Sequence, residues 1–271
     1  MTDLLLLGPL CAIRDNLGGP MVDTHCHLYV PPLAEDPARV LWRARSVGVS
    51  VVVVPGVDAL TSVEAVHLAE QFQGTVLAAV GVHPEVGVVP LDFVTQLASN
   101  TLVKAIGECG LDRGAGDLAA QERLLAAQVA IARDLDRPIL LHCRGAFERL
   151  LRILEGFGPH RGILHAYNGS LEMATCFRRL GFYFGVGGVV TREEATRVRA
   201  TFAAMPLDWL VLETDAPYIG TAKAPKGMVE PANLPEVLSA IAFLHRVPEE
   251  VVERVSDENA WQVLGMAQCS P

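Results

Sequence analysis

The stretch MVDTHCHLYV, residues 21–30, sets two histidines, His25 and His27, in an apolar run directly after Asp23. Its first eight residues read as a strand buried on both faces, and strands of that kind occur in parallel sheets covered by helices. Residues i and i+2 of a strand share a face. His25 and His27 therefore face one way and Cys26 the other. Two neutral imidazoles so placed can share a divalent cation, whereas two charged ones would repel.

Seven further runs of the same character follow. They are SVVVVPG from Ser50, TVLAAVGVHP from Thr75, VKAIGECGLD from Val103, PILLHCR from Pro138, GILHAYNG from Gly162, GFYFGVGG from Gly181 and DWLVLETDAPY from Asp208. Helical periodicity fills the intervals, as in DPARVLWRARSVG, DLAAQERLLAAQVAIARDLD and GAFERLLRILEGFG. Eight strand–helix units over about 240 residues predict an α/β fold, a (β/α)8 TIM barrel in a single domain. A doubly wound open sheet is the other arrangement such a pattern allows. From Asn233 onward the sequence predicts one or two terminal helices. Residues 21–271 form the barrel domain in this reading, and residues 1–20 are an N-terminal extension with no assigned role.

The totals agree with a large buried core. Of 271 residues, 51% are hydrophobic and 20% charged, and mean hydropathy is +0.32. No uninterrupted apolar stretch is long enough for a membrane span. The net charge of −9 argues against nonspecific clamping of long duplex DNA, which takes many phosphate contacts from Lys and Arg. The six cysteines form no C-x-x-C pair, and Asp3 stands where a secretory signal carries basic residues. Both features point to reduced thiols and the cytoplasm. Nothing in the sequence calls for more than a monomer.

Chemically capable side chains recur at the C-terminal ends of the predicted strands: His25 and His27, His83, Glu108, His142, His165, then Glu213 and Asp215. That rim is where barrel active sites are built. Four histidines (His25, His27, His142, His165) with Glu108 and Asp215 exceed the needs of one tetrahedral Zn²⁺. They suit two divalent metal ions, with Glu108 as a carboxylate bridging them. Mixed N/O ligation admits Zn, Mn or Mg.

At this point the chain resembles the TatD family of metal-dependent hydrolases, relatives of the amidohydrolases. The resemblance rests on VDTHCHL, GVHP, IGECGLD, PILLHCR, ILHAYNG, LETDAPY and EPANLPEV, in the family's order and covering nearly the whole chain from residue 22. It implies a TIM barrel, a one- or two-metal site and phosphodiester hydrolysis, typically as a 3′-exonuclease-like DNase acting on DNA ends or short oligonucleotides. It also implies the ligands His25, His27, Glu108, His142, His165 and Asp215. Some positions depart from the commoner pattern: Arg113 follows GLD where an aromatic is frequent, and Gly145 stands where an Asp is frequent. HAYNG replaces H-x-F-S-G, GFYFGVGG lacks a Ser, and the loop GTAKAPKGMV is poor in arginine. These changes bear on substrate identity, and none falls on a proposed ligand.

Roles follow from chemistry. Asp215 is the expected ligand and proton acceptor for the attacking water. His83 is expected to contact the scissile phosphate or donate to the leaving group. Arg144 can grip a phosphate oxygen, and Lys223 and Lys226 are the nearest approach to a basic patch. Asp23 and Glu213, on the faces of their neighbouring ligands, are expected behind them, orienting an imidazole or a water. The alternative activity is hydrolysis of an amide, ester, lactone or aminoacyl-tRNA ester by the same metal site.

Overall fold

Each apolar run becomes a strand, and the strands pair in sequence order. They are β1 Met21–Asp23, β2 Val49–Pro55, β3 Val76–Val80, β4 Val103–Asp112, β5 Ile139–Arg144, β6 Gly162–Leu164, β7 Phe182–Val186 and β8 Leu210–Leu212. The computed structural model describes residues 21–266. The expected extension over residues 1–20 lies outside them. All seven strand pairings are parallel, in one sheet ordered β1 to β8.

The ends of that sheet meet. Thr24 N donates to Leu212 O at 3.0 Å, Asp215 N to His25 O at 2.8 Å and His27 N to Ala216 O at 2.8 Å. The fold is a single-domain TIM barrel; the sequential strand order excludes the doubly wound sheet.

Nine helices of the described residues surround it: α1 Pro37–Ser46, α2 Ala59–Gln71, α3 Asp92–Leu97, α4 Leu118–Asp134, α5 Phe147–Phe157, α6 Leu171–Arg179, α7 Thr196–Ala204, α8 Leu234–His245 and α9 Glu249–Val263. Local chemistry starts several of them. The carboxylates of Asp36, Asp58 and Asp117 and the hydroxyl of Ser170 accept first-turn backbone N–H groups of α1, α2, α4 and α6.

Strand alternation divides the core in two. Val22, Val51, Val53, Leu77, Ala79, Ala105, Leu140, Ile163, Tyr183 and Val211 fill the barrel, and Ala260, Val263 and Leu264 of the α9 region pack against them. The intervening residues, among them Val52, Val54, Ile106, Leu141 and Phe184, face the helices. The inward rows then fix the site: Leu140 leads to His142 and Arg144, Ile163 to His165, and Val211 to Glu213. No helix among the described residues is long and apolar enough to cross a membrane.

Candidate metal centre

The opening strand is shorter than the sequence suggests. β1 ends at Asp23, and His25 and His27 lie just beyond it. They still share a side, because Cys26 bridges in parallel to Ala216 and the His25 and His27 backbones are hydrogen-bonded to residues 215 and 216. Cys26, Cys109 and Cys143 pack in the outer core. Asp23 reaches no imidazole. Its Oδ1 accepts from His25 N at 3.2 Å and Thr214 N at 2.9 Å, and its Oδ2 from the Thr214 hydroxyl at 2.6 Å. It therefore fixes the backbones that carry His25 and Asp215, a correction to the expected role of orienting a ring.

Glu108 stands at the centre of the cluster, 3% exposed. Its Oε2 faces His25 Nε2 at 3.2 Å and His27 Nε2 at 3.6 Å. Its Oε1 faces His165 Nε2 at 2.9 Å, His142 Nδ1 at 3.3 Å and His83 Nε2 at 3.5 Å. Asp215 Oδ1 completes the first group, 3.3 Å from His27 Nε2 and 3.9 Å from His25 Nε2. The two imidazoles that opened the chain approach to 3.2 Å, Nε2 to Nε2.

These distances fit cation ligands. Tetrahedral bonds of about 2.0–2.1 Å place ligand atoms roughly 3.3 Å apart. Three groups of donors, each within 4.8 Å, meet that description: His25–His27–Asp215, His25–Glu108–His165 and His83–Glu108–His142. Asp215 Oδ1 and His25 Nδ1 are buried with no hydrogen-bond partner. A buried carboxylate oxygen left in that state is costly, and a cation at the convergence satisfies it.

Outer partners set which nitrogen faces inward. The Tyr29 hydroxyl donates to Pro55 O at 2.8 Å, so at 2.9 Å it accepts from His27 Nδ1–H. His27 Nε2 is left with a free lone pair. Asp112 Oδ2 lies 3.0 Å from His142 Nε2, which directs His142 Nδ1 toward Glu108. Such supports raise ligand basicity and lock ring orientation. Glu213 lies beneath His165, fully buried; its Oε1 is 3.7 Å from His165 Nδ1 and accepts from Ala166 N at 2.6 Å. Ala166 and Asp215 both hold left-handed backbone, with φ of 45° and 49°. For Ala166 that is an unfavourable conformation, and it points the amide at Glu213.

Electrostatics follow from burial and the carboxylate at the centre. Burial pushes His25 down to about 4, so it is neutral at pH 7. Burial also leads in lowering His83. For His165 burial opposes the charge, but Glu108, Glu213 and Asp215 outweigh it and raise the pKa to about 10. Burial alone would raise Glu108 and Asp215; the surrounding imidazoles hold both below the ordinary carboxylate range. Glu213, pushed up to about 8 by burial, and Asp23, pushed up to about 7 by burial, carry a proton more readily than ordinary carboxyls.

The expected substrate contacts fall differently. His83 lies inside the cluster, among residues that can hold a cation. Arg144 is exposed at the rim and its Nε donates to Asp112 Oδ1 at 2.9 Å. Lys223 and Lys226 are exposed in the loop after β8, with no ion-pair partner among the described residues. Two supporting residues escaped the sequence reading, Asp112 and Tyr29. Each had a signal: Asp112 is i+4 from Glu108 on the same strand, and Tyr29 is i+2 from His27.

Imidazoles and carboxylates converging at the C-terminal rim of a (β/α)8 barrel define a metal-dependent hydrolase. The chain belongs to the TatD family: the family described as TatD related DNase matches residues 22–265. It is 32% identical over 254 residues to the Escherichia coli "Uncharacterized metal-dependent hydrolase YjjV", covering 90% of this chain and 98% of that one. To the "3'-5' ssDNA/RNA exonuclease TatD" of Pantoea ananatis it is 34% identical over 263 residues, covering 91% and 100%. The crystal structure of Escherichia coli YjjV superposes with a TM-score of 0.84 at 31% identity, over 92% of this chain and 99% of that chain.

Proposed function

We propose that the protein is a phosphodiesterase of the 3′-exonuclease type, acting on DNA ends or single strands through a metal-activated water. One observation carries the reading: the two oxygens of Glu108 face separate sets of imidazoles. Such a carboxylate suits two divalent cations, one held by His25, His27 and Asp215 and the other by His142 and His165. Zn, Mg and Mn all fit the donor set. Relatives named as 3′-5′ ssDNA/RNA exonucleases support the substrate class.

When bound, paired cations would supply Lewis-acid stabilisation of the attacking and leaving oxygens and would lower the pKa of the attacking water. The chain supplies the rest. Asp215 would accept the proton of the attacking water. Tyr29 and Asp112 hold His27 and His142 in their ligand tautomers. Glu213 and Asp23 fix the backbones of Ala166 and His25. His83, at 9% exposure, has the position to meet the phosphate or the leaving group as well as Glu108. Lys223 and Lys226 are exposed cations at the rim, and Arg144, paired with Asp112, stands there with them. A barrel mouth admits a single strand more readily than an intact duplex.

The experiment is release of mononucleotides from single-stranded DNA by purified protein with added Mg²⁺, Mn²⁺ or Zn²⁺. Release is expected, and Asp215→Asn abolishes it. A protein that leaves the strand intact but hydrolyses an amide, lactone or aminoacyl-ester panel has the second activity. The net charge of −9 is the observation on that side.

A further inference from the structure

A cavity opens at the barrel rim, between the segments that follow β4 and β5. Its volume is about 290 Å³, and Arg113, Gly145, Phe147, Glu148 and Met173 are among its walls. Small-ligand sites begin at about 300 Å³, so the space is close to the smallest of them. Gly145 is three positions beyond His142 in the chain, which keeps their Cα atoms at most about 11 Å apart. The two are also tied through Arg144, whose side chain pairs with Asp112 behind His142.

Arg113 is its distinctive wall. Arg113 N donates to Arg144 O at 3.0 Å, anchoring the residue at the rim. Its side chain lies along Gly145, where φ is +68°; a Cβ built there would stand 3.5 Å from Arg113 Cβ and 3.8 Å from both Cδ and Nε. The neighbouring arginines are already engaged, Arg144 with Asp112 and Arg149 with Glu122 at 3.0 Å. Arg113 is exposed and has no carboxylate within ion-pair distance among the described residues. Phe147, which lines the same cavity, is held edge-on by Tyr167 and Phe177, with ring centroids at 5.3 and 6.3 Å. A flat cation, an immobilised aromatic and the pliable Met173 make walls suited to a planar heteroaromatic ring, and Glu148 offers an acceptor to an exocyclic amino group.

We propose that this cavity is a nucleobase subsite, in which Arg113 stacks on a base of the strand whose end lies at the metal centre. The subsite rests on the exonuclease reading above and names what grips the strand: a base, one or two nucleotides from the scissile bond. Arg113 is thereby a substrate-binding residue that senses the presence of a base.

The test uses metal-loaded full-length protein and short single-stranded DNAs that carry one abasic residue at successive positions from the 3′ end. Wild type is expected to show a KM about tenfold higher when the abasic residue falls at one or two of those positions. In Arg113→Ala the KM for the intact strand rises to the abasic value and the discrimination disappears. Arg113→Lys keeps the charge without the plane and behaves as Arg113→Ala does. Thermal midpoints of both variants report folding. Equal KM values for intact and abasic strands with wild type overturn the subsite alone. So does recovery of the intact-strand KM by Arg113→Lys, which marks a phosphate contact. Failure of wild type to cleave any strand overturns the exonuclease reading and the subsite with it.

Discussion

Asp112 Oδ2 lies 3.0 Å from His142 Nε2, while Arg144 Nε lies 2.9 Å from Asp112 Oδ1. The carboxylate thus fixes a ring that has to present Nδ1 to Glu108. Asp112→Asn removes the charge and can reverse the amide against the ring. Metal affinity is expected to fall about 10–100-fold, as for other outer partners of ligating histidines. Calorimetric titration with Zn²⁺ or Mn²⁺ checks it, and an unchanged dissociation constant refutes the role.

Tyr29→Phe tests the other tautomer lock. The ring stays, but His27 Nδ1 and Pro55 O lose their partner. A loss of about tenfold in metal affinity is expected, together with about 1 kcal/mol of stability for the missing hydrogen bond. Metal titration and denaturant unfolding measure the two separately.

Gly185→Ala tests how tightly the floor of the site is packed. A Cβ at 185 would overlap the Glu213 carboxylate, which is buried and fixed by Ala166 N. Overpacking of this kind costs about 1–3 kcal/mol. The thermal midpoint should drop, with weaker metal retention because Glu213 lies under His165. Wild-type values for both would contradict the packing described.

Asp257 gives a pH dependence remote from the site. It is buried on α9, and its Oδ1 accepts from Val22 N at 3.0 Å. Burial pushes its pKa well above the ordinary value of 3.8. The folded protein therefore holds this proton where the unfolded chain releases it. The associated stability is fully present below the unfolded pKa and is lost as pH rises toward the folded one. Asp257→Asn imitates the protonated acid without titrating. Its thermal midpoint should match wild type near pH 3.8 and exceed it increasingly toward higher pH; a constant gap would contradict the assignment.

The fold was readable because each strand is a continuous apolar run that ends in Gly, Pro or a polar residue, and because the catalytically capable residues sit at those ends. The sequence also indicated the central group, since His25 and His27 alternate with Cys26. It overran β1, because an apolar run does not reveal where pairing stops; the Cys26–Ala216 bridge and the His25 and His27 backbone bonds are long-range. Asp23 was misread for the same reason: its partners, Thr214 and the His25 amide, meet only when β8 closes on β1. The rim residues Arg113, Arg144, Lys223 and Lys226 depend on loop paths that periodicity does not encode.

The two-cation centre around Glu108 is tested most directly by anomalous scattering from crystals loaded with Mn²⁺ or Zn²⁺. Two peaks are predicted, one on the His25–His27–Asp215 side of Glu108 and one on the His142–His165 side. A single peak at full loading, or peaks that leave Glu108 without contact, would contradict it.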